Sequence, residues 1–381
     1  MRKRICSILL TACLLLGLLP TTVLAEDANA DALYVNGVDM LGGGTLDGVS
    51  YDRSSNTLTL SSITIDTYYS PDETTRAGIY YQGTDTLNIV SNGSNTVQVK
   101  PTGDGGGYPA APVYGYGLYA EGSVVLSGSS LTFQAGTIDN AYLDAKDSGN
   151  ECFVFAEAIH VTGDLDVTGT VTERLTSFPL ETPIENTQNE TTYAAATLKN
   201  DYAIYVGGRL NVLDGTLTGT RLKVDGETGI SGTLSASLLS AGNIGVTSGS
   251  MDVNGLTAED ITLGGGKLTS KRITAHDLTV TGGTLETSAS TSSTTLTGMI
   301  ELSGTATFSS GTVTVNSTDY AGIMSAAKPD SYLFTEGDCI ASGDAVVTVD
   351  VHRESGGPSG IAMGGHVPGL RQRPGHGHNG N

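Results

Sequence analysis

Five glycines, Gly215, Gly232, Gly249, Gly266 and Gly283, recur at an interval of 17 residues, and each is followed two positions later by a large apolar residue: Leu217, Leu234, Met251, Leu268 and Leu285. A fixed period of this kind marks a repeated supersecondary unit that buries its apolar face only by stacking on its neighbours. Other columns keep the same interval: Leu222, Leu239, Leu256 and Ile273; Leu210, Ile244, Ile261 and Leu278; Val212, Val246, Leu263 and Val280. Within each period the apolar residues alternate with Thr, Ser, Asn and Asp, which is strand spacing. A 17-residue circuit at ~3.3 Å per residue is roughly 56 Å long, enough for two or three short strands joined by tight turns. The spacing therefore predicts an all-β parallel β-helix, a β-solenoid in which like residues lie over like. A β-sandwich or barrel of regular hairpins is the competing reading, and it does not explain why several columns share one interval. Glu227 and Gly229 stand where two of the columns require apolar residues, with Ile230 beside them, so a β-bulge is expected in that rung.

Looser echoes extend the pattern at Leu58-Thr59-Leu60, Leu87-Asn88-Ile89-Val90, Val124-Val125-Leu126, Leu165-Asp166-Val167 and Gly311-Thr312-Val313-Thr314-Val315. Turn-forming or polar insertions interrupt the coil at Thr67 to Thr75, Pro101 to Pro112 and Thr176 to Thr192. The expected organisation is a signal peptide over 1–25, an N-terminal cap with the first strands over 26–66, irregular rungs over 67–200, the regular solenoid over 201–320, a C-terminal cap over 321–350 and a disordered tail over 351–381. The signal peptide is read from Arg2, Lys3 and Arg4 before the apolar run Ile8 to Leu19, with cleavage after Ala25. Export to the cell surface or medium follows, with no membrane span in the mature chain. Cys152 and Cys339 would remain, as a disulfide or as two buried thiols.

Acidic residues outnumber basic ones by 40 to 19, a net charge of −21. Such a field opposes phosphate backbones, so nucleic acid is not an expected partner. Catalytic clusters were sought among the residues a β-helix enzyme needs. Lys271-Arg272 with His276 and Asp277 is the best local set for a lyase, against the plainer reading of a solvated outer turn. Gly375-His376-Gly377 has no Asp-Asp pair to accompany it. Asp164 and Asp166 share a strand face and offer oxygen ligands without calcium-loop spacing. His352, His366, His376 and His378 offer imidazoles on a Gly-rich segment. None makes a convincing centre, so no catalytic residue, metal or cofactor is expected.

Tyrosine is distributed unevenly: eight of 16 fall between positions 68 and 119. Tyr68, Tyr69, Tyr80, Tyr81, Tyr114, Tyr116 and Tyr119 are the candidate ligand-binding residues, because a phenol ring joins an apolar face to a polar tip suited to sugars or protein interfaces. Tyr108 completes the group. Tyr114 and Tyr116 alternate with Val113 and Gly115, so a strand would project both from one side. The alternative is a tyrosine-lined cap sealing the coil.

Leu33-Tyr34-Val35-Asn36-Gly37, Tyr51-Asp52 with Asn56-Thr57-Leu58-Thr59-Leu60, and Gly78-Ile79-Tyr80-Tyr81-Gln82-Gly83-Thr84-Asp85-Thr86-Leu87-Asn88-Ile89 resemble exported proteins of anaerobic Gram-positive gut bacteria labelled as carbohydrate-binding-domain or parallel β-helix proteins. The likeness covers the N-terminal third by motif and the rest by repeat style. It implies a right-handed coil at the cell surface. The combined expectation is a non-enzymatic, adhesin-like interaction module for carbohydrate or host-surface glycoconjugates. A polysaccharide-degrading β-helix enzyme and a structural spacer are the alternatives.

Overall fold

The computed structural model describes residues 30–98, 113–135, 153–175, 184–186, 191–193, 202–289, 300–317, 323–325, 338–351 and 361–362. The fold is an all-β parallel solenoid built on one 12-stranded and one 20-stranded sheet. Each rung visits three lanes in turn. Lane 1 forms the 12-stranded sheet and includes Leu87–Asn92, Leu165–Val167, Leu210–Val212, Ile244–Val246 and Ala306–Phe308. Lanes 2 and 3 share the larger sheet. In the earlier rungs they are separate strands, such as Asn95–Gln98 in lane 2 and Val113–Glu121 in lane 3. In the regular rungs they merge into single long strands, Thr216–Val224, Thr233–Ser240, Ser250–Thr257 and Lys267–Ala275.

Merging is possible because inward-outward alternation slips by one residue at the corner. Thr220-Arg221, Ser237-Leu238, Asn254-Gly255 and Lys271-Arg272 are consecutive residues that both face outward, while the alternation on either side keeps pointing apolar side chains inward. Two outward residues in succession turn the strand without ending the amide ladder. Every longer connection between lane 2 and lane 3 leaves from this same corner. Residues 66–74, 99–112, 136–152, 176–203, 290–299, 318–322 and 352–360 all join a lane-2 strand to a lane-3 strand. Of the expected insertions, Thr67 to Thr75 is one of these, and those at 101–112 and 176–192 fall largely outside the described residues.

The pairing is parallel and in register, with Leu222, Leu239, Leu256 and Ile273 stacked in lane 3 and Ile244, Ile261 and Leu278 in lane 1. This excludes the hairpin architectures. All of these side chains are buried, and burying each contributes about 1.5–3 kcal/mol relative to exposure. The predicted glycine column also stacks. A Cβ at Gly283 would lie 2.6 Å from the carbonyl oxygen of Gly266, and one at Gly311 would lie 2.7 Å from that of Gly283. A methyl group at these positions would thus press on the rung before, which is why the column is glycine from Gly215 to Gly311.

The bulge expected near Glu227 is instead a register change made in the turns. Leu210 pairs with Thr228 and Val212 with Ile230, so Thr228 occupies the apolar column and is buried. One residue more than in the following rung precedes this lane-1 strand, and one fewer follows it, which restores the 17-residue glycine interval. Antiparallel strands close the N-terminal end: Ala30–Val35 on Thr75–Gly83, and Val49–Asp52 on Thr57–Ser61. They fall within the expected cap. Residues expected to cap the other end supply a further rung instead. Cys339–Ala341 and Val346–Val351 pair in parallel with Ala306–Phe308 and Thr312–Ser317, and Ile361–Ala362 with Ile323–Ser325. The expected signal peptide and most of the expected tail lie outside the described residues.

Candidate functional site

Lane 3 presents its outward residues as one column across successive rungs. Backbone register places Tyr34, Tyr80, Tyr119, His160, Tyr205, Lys223, Ser240, Thr257 and Thr274 one above another. The N-terminal part of the column is aromatic. Tyr80 and Tyr119 stack with centroids 5.7 Å apart, Tyr119 and His160 at 4.8 Å, and His160 and Tyr205 follow at 4.8 Å with a tilt. These separations follow from the strand spacing of ~4.8 Å, which sets rings on neighbouring strands at stacking distance.

The connection 66–74 folds back over the first rung. Tyr69 exchanges two backbone hydrogen bonds of 2.9 Å with Ala77, which sets its ring on Tyr34 at 3.5 Å and beside Tyr80 at 5.3 Å. Asp72 holds that loop, accepting from the Thr74 and Thr75 amides. Tyr116 packs edge-on against both Tyr119 and His160 and is itself buried. At the other end Tyr202 stacks on Tyr205 at 5.6 Å.

The seven predicted tyrosines divide accordingly. Tyr69, Tyr80, Tyr114, Tyr116 and Tyr119 belong to one apolar cluster on this face, with Ala32, Tyr34 and Ala77. Tyr114 and Tyr116 share that cluster, as their alternation implied. Tyr68 packs toward the interior and carries the Arg76 guanidinium 5.4 Å above its ring. Tyr81 is a correction: one residue beyond Tyr80, it points inward and is fully buried, its hydroxyl donating to the Asp85 carbonyl and accepting from Asn56 Nδ2. It serves the core and leaves the ligand-binding set. Tyr108 lies outside the described residues. Tyr34, His160, Tyr202 and Tyr205 join the face without having been singled out.

Burial first, and nearby carboxylates second, hold the Tyr80 hydroxyl at about 12 and raise Tyr119 and Tyr116 as well. Tyr205 is pushed up to about 12, chiefly because its hydroxyl donates to Asp225 at 2.7 Å. These phenols are neutral hydrogen-bonding groups at physiological pH. His160 Nδ1 contacts Glu157, whose carboxylate is buried beneath the rings. Tyr80 and Tyr116 are buried within the cluster, so the half-buried Tyr34, Tyr69, Tyr119, His160 and Tyr205 carry what this face presents to solvent.

Beyond Tyr202 the column continues into a groove of about 600 Å³ on the insertion-free rungs. Arg221, Lys223, Leu238, Ser240, Gly255, Thr257, Arg272 and Thr274 contribute to its lining. Composition gave no hint of it, since these residues are scattered over 54 positions and meet only through the rung register.

The remaining sequence candidates behave differently. Lys271-Arg272 sits at the corner within the strand Lys267–Ala275 and His276-Asp277 just past its end, so its last three residues separate the pairs. His276, Asp260 and Asp277 do converge, with ligand atoms within 4.8 Å of one another on the exposed lane 3 to lane 1 turn. Asp277 there accepts from the Thr305 amide at 2.6 Å. Asp164 receives Arg209 at 2.8 Å and Asp166 receives Asn211 Nδ2 at 2.8 Å, so each carboxylate is engaged by the next rung. Cys339 is buried in lane 1 with its thiol pushed up to about 11 by desolvation, and has no disulfide partner among the described residues. Cys152 and the four histidines of the tail lie outside the described residues.

Comparison with known proteins finds no matching family model, no matching curated protein and no matching solved structure. The class is accordingly defined by the fold alone, a parallel β-solenoid with an aromatic outer face.

Proposed function

We propose that this protein is an exported, non-enzymatic interaction module that binds carbohydrate or surface glycoconjugates along the outer face of lane 3. The observation that carries this reading is the continuous column from Tyr34 to Tyr205, in which half-buried aromatic side chains flank the buried Tyr80 and repeat at the rung spacing. Sugars bring hydroxyl groups at closely repeated intervals together with C–H faces, and amphipathic aromatic edges meet both. A rigid repeat of recognition groups suits an extended polymer better than a compact metabolite. Binding is favoured over turnover because Asp164 and Asp166 are already held by Arg209 and Asn211, while the Lys271-Arg272 and His276-Asp277 pairs are set apart by the last three residues of a strand.

The test is a glycan array followed by calorimetry with the full chain and its Tyr119→Ala variant. Saturable binding weakened at least tenfold in the variant is expected. Undiminished binding would remove lane 3 from the reading, and release of reducing ends or unsaturated products would replace it with the enzyme alternative.

A further inference from the structure

We propose that the groove over the insertion-free rungs is a distinct subsite for an acidic polysaccharide segment, one bearing uronate or sulfate groups. The inference deepens the carbohydrate reading and rests on it.

Acidic residues outnumber basic ones about two to one in this chain, yet every charged side chain lining the groove is cationic: Arg221, Lys223 and Arg272. Two of them have acidic neighbours at the margin, Lys223 with Asp225 at 3.2 Å and Arg272 with Glu301 at 2.7 Å. Arg221 is exposed and makes no ion pair among the described residues. The Glu173 carboxylate also lies at this corner, accepting from the Thr220 amide at 2.7 Å, but it is buried, so the charge that the groove turns to solvent is positive on a strongly negative molecule and an anion is drawn here more than elsewhere on the surface.

The corner column gives the groove its shape. Arg221, Leu238, Gly255 and Arg272 occupy equivalent positions on four consecutive rungs. Three rung intervals of ~4.8 Å separate the two arginine backbones by roughly 14 Å. Between them Leu238 is an exposed apolar side chain, 46% accessible, and its Cδ2 reaches over Gly255, whose bare backbone forms the floor. A Cβ at Gly255 would meet Leu238 Cδ2 at 2.7 Å, so any side chain there would intrude on the leucine. The order is cation, a leucine lying over a glycine floor, cation. That order matches a sugar chain whose acidic groups reach the two guanidinium forks while an intervening ring lays its C–H face on the leucine. Ser240, Thr257 and Thr274 add hydroxyl groups along one wall, and Tyr202 closes the end toward the aromatic column.

The decisive experiment measures binding of polygalacturonate, chondroitin sulfate and neutral dextran to the full chain, to the Arg221→Ala/Arg272→Ala double variant and to Gly255→Trp. Thermal unfolding confirms that each variant is folded. The expected result is preference for one or both acidic polymers, a loss of tenfold or more in the double variant, a similar loss when Trp fills the floor, and progressive weakening with salt. Equal affinity for dextran, or acidic binding that ignores both variants, overturns the subsite. If the same glycans still depend on Tyr119, the carbohydrate reading survives that result. No binding of any glycan, on the array or here, overturns both. Cross-linking of Lys223 to residues 176–201 in the free protein would also overturn the subsite, because it would identify the groove's occupant as the chain itself.

Discussion

The rungs before residue 207 and those between 216 and 275 share one interior but have different exteriors. Inside, both stack Leu, Ile and Val in parallel register. Outside, lane 3 of the earlier rungs carries Tyr80, Tyr119, His160 and Tyr205, whereas the regular rungs carry Lys223, Ser240, Thr257 and Thr274 at the same positions. The earlier rungs also have a long connection at every lane 2 to lane 3 corner, and the regular ones have none. Side chains facing the core are therefore fixed by stacking, while those facing solvent vary without disturbing it.

The strongest way to break the comparison is through the glycine column. Gly249→Val places a branched side chain against the backbone of Gly232, which cannot yield as a side chain would. A loss of about 4 kcal/mol or more is expected in chemical denaturation. Gly245→Ala, with nothing within 4 Å of the new methyl, should change stability by less than about 0.5 kcal/mol. Leu118→Ala in the aromatic rungs and Leu256→Ala in the regular ones should each cost about 3 kcal/mol, because both side chains are essentially fully buried. A twofold disparity between them would show that the two regions do not share an equivalent interior. Asn95→Ala acts on the earlier rungs alone. Its side chain accepts from the Ile63 amide at 2.8 Å and donates to Ser91 Oγ at 2.7 Å, and its loss should cost about 1–3 kcal/mol. Tyr119→Leu, which keeps bulk while removing the stack on Tyr80 and His160, should cost about 1 kcal/mol. Thr257→Ala in the same column should be near neutral.

The smallest effect concerns pH. Hydrogen bonds from Arg209 hold the Asp164 carboxyl below its ordinary value. A lowered native pKa gives stability that is present above the unfolded value of about 3.9 and is lost as pH falls through the native value. Both groups are exposed enough for solvent to screen the pair. Arg209→Gln should therefore be slightly less stable than wild type at neutral pH, and the difference should fade in acid; a difference that grew in acid would contradict the pairing.

What could be read in advance followed from constancy of interval. Gly215 through Gly283 and Leu222 through Ile273 are separated by one number, so alignment by eye equals alignment in space. Tyr80, Tyr119, His160 and Tyr205 occupy one column too, but intervals of 39, 41 and 45 residues hide it. The variable connections consume the difference. A tyrosine-rich stretch was visible, whereas His160 and Tyr205 lacked any local mark of membership. Tyr81 misled because clustering in sequence does not distinguish the two faces of a strand. The register change at Thr228 misled for a related reason: one added residue and one removed residue cancel over a full turn, so the glycine count conceals both. The cationic groove stayed unread because Arg221 and Arg272 look like isolated charges until the two rungs between them are stacked.

The lane 2 to lane 3 corner, from which most of the long connections depart, bears on how such a molecule can diversify. Length added there alters neither the neighbouring amide pairing nor the glycine contacts, so sequence can be gained or lost at one edge while the scaffold's pitch stays constant. A foreign peptide spliced between Ser237 and Leu238 would be carried as cargo on an otherwise undisturbed coil, much as the earlier rungs already carry a connection of their own at the same corner.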